Sequence, residues 1–518
     1  MMESPYMSSR ILWKRIKSSL SDPDMRAKVL ALAGGKAIGL ILLLTAMKIY
    51  LAPALFAQTP APAGPTPEVN AINTAWTLIA AFLVFGMQVG FVMLEAGFAR
   101  SRESINILVE GIVDTCICGV TFWAWGFAFM FMDGTPFIGT HGFFLKGLPD
   151  TYLTTGVPLL AFWVFQFAFA DTCSTITSGA MVGRCGFIGD ILYSIGVTGF
   201  IYPIIGHWAW GPDGWLNTIS TPFHDFAGST VVHTIGGAIS LAGAVALGPR
   251  LGRVFARDGG GPMLPHNIIL GAVGGLILWF GWYGFNPGST LSALDAAGIG
   301  RVSFNTTMAA CSAGLAGLFY AYARTGKWDL GITTNAFLAG LVAITCPCYW
   351  VSPTGAFFIG IVAGVVVIWA TDALEYLRID DPIGAVPVHM VAGIWGTLSL
   401  GLFATGAYGA PTPTGADLSA PVKGLLYGGG MNQLIAQAIG SFSITAVTLV
   451  VAFILMYAVK ATGTLRVSRE GELEGLDIHE HGMFAYPEFA THPSEALHGS
   501  PAHTPAMAPA TAPAKARV

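Results

Sequence analysis

Apolar runs long enough to cross a bilayer recur from about residue 73 to residue 459, and they dictate what this chain can fold into. A hydrocarbon interior offers no water to a peptide group, so the backbone must satisfy itself within each segment. Charged residues make up only 10% of the 518, against about 25% in soluble domains. Sixty-six glycines suit close helix packing in lipid, where small residues let backbones approach. The net charge of -4 is too small to suggest a nucleic-acid partner. The expected fold is an all-α polytopic membrane protein.

Eleven spans are predicted, at roughly 73–97, 104–132, 154–183, 187–206, 228–248, 267–286, 303–323, 332–348, 354–375, 385–405 and 433–459. Loop charge sets their orientation. One side carries Arg100, Arg102, Arg184, Arg250, Arg253, Arg257, Arg324, Lys327 and Arg378; the other carries Lys146, Arg301 and Lys423. The positive-inside rule then places the carboxy terminus in the cytoplasm and the mature amino terminus outside. An inner or plasma membrane is the expected location.

Within this frame two histidines stand 156 positions apart in matching settings, D225-FAGSTVV-H233 and D381-PIGAVPV-H389. An ionisable ring in an apolar span is costly and marks function. His233 falls in span five and His389 in span ten, which predicts a 5+5 inverted repeat with a peripheral eleventh helix and the two rings meeting near mid-membrane. Such a pair suits a conduction path, because each imidazole can donate from one nitrogen and accept at the other. The bland alternative for either ring is a hydrogen-bonded core residue.

Three helix ends on the outer side gather aromatic rings. They hold Phe165 and Phe169 in FQFAFADTCSTITSG, Trp210 in HWAWG, and Trp282, Phe285 and Ser289 in GWYGFNPGS. Aromatic faces attract small cations by as much as ~2 kcal/mol where water is excluded. An interfacial aromatic belt accounts for the same composition. Asp225 precedes the His233 helix and suits either amide capping or proton acceptance. Glu95, Glu110 and Asp114 read as helix-to-helix hydrogen-bonding groups. The seven cysteines lack metal-ligand spacing and read as packing residues.

MLEAGF (93–98), DFAGSTVVH (225–233), GWYGFNPGS (281–289), DDP with the following VH (380–389) and EGLDIHEHG (474–482) together resemble the Amt/Rh ammonium transporter family, over about residues 71–490. Phe165 and Trp210 favour the Amt branch. The resemblance implies transport of ammonium or ammonia, not enzymatic catalysis, with no cofactor. Phe165, Trp210 and Ser289 match the external recruitment site, with Phe169 as its floor. Phe169 and Phe285 match the stacked gate; His233, His389, Trp282 and Thr345 match pore positions; Asp225 matches the aspartate tied to deprotonation or to the shape of the site. The resemblance also implies a homotrimer and a PII-type signalling protein as regulator. A sensor of the same fold is the alternative function. A membrane metalloenzyme would need further ligands, such as H-E-x-x-H, and the pore segments have none. Asp171, two residues beyond Phe169, departs from many members and is expected either to face a neighbouring helix or to alter access.

The flanks complete the organisation. Residues 1–57 read as a basic leader resembling a signal peptide cleaved near Ala57, or as an uncleaved extra helix. A Pro/Ala linker covers 58–70, the membrane domain 71–460, a cytoplasmic regulatory segment 461–490, and a low-complexity disordered tail 491–518.

Overall fold

The structure, a computed structural model, describes residues 65–152 and 155–489. The expected leader and the 491–518 tail lie outside the described residues, as does most of the linker. Among the described residues, ten helices are long and apolar enough to span a membrane: α1 (Pro67–Phe98), α2 (Ser101–Phe131), α3 (Leu159–Gly179), α4 (Phe187–Thr218), α5 (Ser229–Leu247), α6 (Ile268–Thr290), α7 (Ala296–Thr325), α9 (Pro353–Leu377), α10 (Val386–Phe403) and α11 (Asn432–Ala461). The shorter apolar α8 (Leu330–Thr345) completes the expected eleven among the described residues. Two small helices, α12 (Arg469–Glu474) and α13 (Leu476–His481), follow. The strands among the described residues are two two-residue hairpins in loops.

Helix limits differ from the predicted ones where capping chemistry intervenes. α3 opens at Leu159 and not at 154, because Pro158 is extended and brings no amide hydrogen. α7 opens at Ala296, earlier than predicted, because the Asp295 carboxylate accepts the Gly298 amide at 2.9 Å. α4 continues past 206 through Trp210, so that ring sits on a helix end.

Close approaches are made at glycines. A side-chain carbon on Gly97 would collide with Gly271, and one on Gly274 with the backbone of Leu94, so α1 and α6 meet almost backbone to backbone. α7, α8 and α9 use the same device, with Gly340 and Gly364 set against Ala313.

Internal repetition is clearest at the fifth and tenth helices. Each begins with a wide π-type turn that carries its histidine, Ser229–Thr234 and Val386–Val391. They cross closely, Gly237 against Met390 and Gly393 against Ser229 and Thr234. α11 packs along both.

One face of the helices is closed by the chain's own carboxy segment. Arg102 donates to the Leu473 carbonyl at 2.8 Å, the Asp477 carboxylate accepts the Asn106 amide at 2.9 Å, and Glu472 accepts the Leu251 amide at 2.5 Å. Beneath it, buried Asp380 takes two hydrogen bonds from the Arg250 guanidinium at 2.9 and 3.0 Å and one from its amide, with Arg253 3.4 Å away. Arg184, fully buried, donates to the Asp380 carbonyl at 2.6 Å and to Gly248 at 3.1 Å. This node ties the end of α5 to the turn that launches α10.

Burial alone would raise the Asp380 carboxyl; hydrogen bonds and charge from Arg250, with the charge of Arg184, hold it well below the usual carboxylate range. Asp380→Ala strands buried guanidinium groups and should cost about 3–5 kcal/mol, read as thermal unfolding in detergent. Because the folded-state pKa is depressed, the wild-type advantage should be complete above the ordinary carboxylate range, flat through neutral pH, and lost only in strong acid.

Candidate functional site

Opposite the tail face, α3, α4 and α6 open a cavity of about 260 Å³ lined by Phe165, Phe169, Trp210 and Ser289. All four residues expected at an outer site therefore converge. The cavity also takes in Tyr152, Gln166 and Phe226, which had been assigned no role. Gln166 is the informative omission. Its amide oxygen is buried with no hydrogen-bond partner among the described residues, beside the rings. It lies one helical turn before Phe169, and that i, i+3 spacing was the available signal.

Each ring is held for a reason. The Trp210 indole donates to the Asp225 carbonyl at 2.8 Å. The Ser289 hydroxyl donates to the Phe285 carbonyl at 2.8 Å, which leaves its oxygen lone pairs free to accept. Phe165 and Phe169 have centroids 4.7 Å apart. Beneath them Phe169 stacks on Phe285, at 4.1 Å between centroids and 27° between planes, and both rings are essentially inaccessible. The path is closed at this pair.

Below Phe285 the rings continue. His233 lies 5.3 Å from Phe285 and 5.1 Å from Trp282, stacked on each. His389 follows, its Nδ1 3.2 Å from the Nδ1 of His233. Two facing Nδ1 atoms at that distance share one proton, so one ring donates, the other accepts, and the pair cannot hold two imidazoliums. His233 Nε2 is buried and has no partner among the described residues. On the tail side a small cavity begins at His389 and includes Phe91 and Glu95.

Thr345, expected along the pore, is occupied otherwise. Its hydroxyl donates to the Leu341 carbonyl at 2.7 Å and accepts the Trp282 indole at 2.9 Å. It reaches His233 only through the ring it holds.

Asp225 is a cap. One carboxylate oxygen accepts the amides of Gly228 and Ser229 at 3.0 and 2.9 Å; the other accepts those of Thr230 and Val231, both at 2.9 Å. Asp381 repeats this for α10, accepting from Gly384, Ala385 and Val386 at 2.8–3.1 Å. Asp171 faces α2, where it accepts from Thr115 at 3.0 Å, and is absent from the cavity lining. Glu95 and Asp114 bond between helices, to Ser178 and Ser194.

A sequence model described as the Ammonium Transporter Family matches residues 75–486. The chain belongs to the ammonium transporter family. It is 41% identical over 428 residues to Ammonium transporter Amt2 of Archaeoglobus fulgidus, covering 81% of this chain and 89% of that protein. Ammonium transporter 1 member 3 of Solanum lycopersicum is 37% identical, over 80% of this chain and 93% of its own. Among solved structures, a Sensor Amt Protein superposes with a TM-score of 0.71 at 38% identity, over 80% of this chain and 99% of that one. Mep2 of Candida albicans gives a TM-score of 0.71 at 28% identity, over 82% and 93%.

In this ammonium transporter the capped turn couples the outer cavity to the histidine pair: Asp225 starts the His233 helix and hangs Trp210 from its carbonyl. Asp225→Ala should lose about 2 kcal/mol or more, since four amides lose their acceptor. Asp225→Asn should fall between it and wild type. Thermal unfolding in detergent, read with the emission of the released tryptophan, checks both.

Proposed function

We propose that ammonium is held at the outer cavity, loses a proton near Phe169, Phe285 and Asp225, and crosses as ammonia past His233 and His389. The observation that carries this reading is the unbroken column from Trp210 through Phe169 and Phe285 to His233 and His389, in which each ring contacts the next. Ammonium and potassium carry equal charge and have similar size, so radius separates them poorly. Their chemistry differs: ammonium can donate hydrogen bonds and shed a proton. A dry lumen penalises any ion by several kcal/mol after relaxation, and neutral ammonia much less. Ser289 and Gln166 oxygens can accept from ammonium, and the ring faces attract its charge. The free Nε2 of His233 gives ammonia a polar partner beyond the stacked pair.

The membrane orientation drawn from loop charge puts the outer cavity outside and residues 461–489 in the cytoplasm, as a regulatory segment of a plasma or inner membrane protein. Assembly as a homotrimer and control by a PII-type protein belong to the same reading. A second reading is an ammonium sensor. It is favoured by the likeness to the Sensor Amt Protein and by the packing of α12 on the loop after α5 and of α13 on the beginning of α2. Flux into proteoliposomes separates the two, since a pure sensor binds without conducting.

Trp210→Leu and Ser289→Ala should weaken uptake more at low ammonium than at saturation, by roughly tenfold in half-saturating concentration for about 1.4 kcal/mol of lost binding. Equal loss at every concentration would count against a recruitment site. Potassium carried as readily as ammonium by purified protein would count against passage as ammonia.

A further inference from the structure

We propose that Glu95 is the proton donor at the inner end of the path, converting ammonia to ammonium as it leaves the histidine pair. The proposal rests on the deprotonation reading above. Glu95 lies on the last turn of α1 and is 3% exposed. It shares with His389 a cavity of about 20 Å³, space for roughly one molecule of the size of water or ammonia. The histidine pair and this acid therefore border the same small space.

Glu95 is bonded more sparsely than the capping and guanidinium-bound carboxylates, as Asp114 and Asp171 also are, but neither of those two lines the cavity that it shares with His389. Asp225, Asp381 and Asp380 each receive three or more bonds. Among the described residues Glu95 receives only Ser178, at 3.3–3.4 Å, and that hydroxyl points its proton more closely at the Thr175 carbonyl, 2.8 Å away. An acid within a span that neither caps a helix nor pairs with a base is a candidate for chemistry. The acids around it are Glu110 and Asp114 on α2 and Asp190 on α4, each close enough for its charge to act on Glu95.

The step balances. The Glu95 O–H bond breaks as the ammonia lone pair takes the proton, giving ammonium and a Glu95 carboxylate. Water on the tail face then returns a proton to the carboxylate, one of its O–H bonds breaking to leave hydroxide in the bulk. The outer release of one proton is matched by one taken up inside, so the proton need not follow ammonia through the stacked rings.

The test uses the full chain in proteoliposomes, with ammonium as the probe. Infrared difference spectra should show a protonated-carboxyl band lost and a carboxylate band gained on ammonium addition, and both should vanish in Glu95→Gln. That variant should transport at least about tenfold more slowly at saturating ammonium, a modest share of what general acids contribute. Its half-saturating concentration should hardly move, because the outer cavity is untouched, and Glu95→Asp should recover part of the rate. Wild-type rates in Glu95→Gln, or an unchanged carboxyl band there, would overturn the assignment. Should Glu95→Gln fail to fold, the wild-type spectrum decides, and absence of any carboxyl change overturns the proposal. Potassium flux through the wild type would instead strike the underlying reading, whatever Glu95 does.

Discussion

Everything along the path depends on two helices that must begin inside the protein. The first turn of any helix has amides with no partner, and in a membrane domain water does not supply one. Asp225 and Asp381 supply acceptors to these turns, with seven amide contacts between them. With both starts anchored, α5 and α10 can carry their histidines on wide turns to within one hydrogen bond of each other. The Arg184–Arg250–Asp380 node, just before Asp381, fixes the end of one helix against the beginning of the other.

Polar groups along the path differ in how completely they are satisfied. Those with saturated oxygens hold backbone or guanidinium groups and act as structure. Among the less fully bonded groups, the Gln166 amide oxygen, His233 Nε2 and Glu95 lie at the outer cavity, the histidine pair and the inner cavity, whereas others, such as Asp114 and Asp171, are absent from both cavity linings. The apolar stack of Phe169 and Phe285 separates the first from the other two. The stack penalises charge between them, which is what the proposed passage of a neutral form requires.

Much of this was legible in order along the chain. Span number followed from apolar length, and the paired motifs around His233 and His389 pointed to repetition. The limits of α3 and α7 were misjudged because Pro158 and Asp295 act through caps that a hydropathy pattern does not weigh. Thr345 shows another kind of blindness: it was expected along the pore, and its hydroxyl is spent on Trp282. Asp171 was undecided until Thr115, 56 positions earlier, proved to be its neighbour. Glu95 read as a helix-to-helix group, and only its closeness to His389 changes what it can do.

Residue order by itself determined that this chain spans a membrane as eleven helices, because apolar length and backbone self-sufficiency leave no other solution for such runs. It also determined which rings and acids are available. Only the tertiary structure decided which of them meet. The Nδ1 contact joins residues 156 apart, and the Phe169–Phe285 stack joins different helices. Helical periodicity says which face a side chain takes, but the partner across that face is set by glycine crossings between helices, and those distances are written nowhere along the chain.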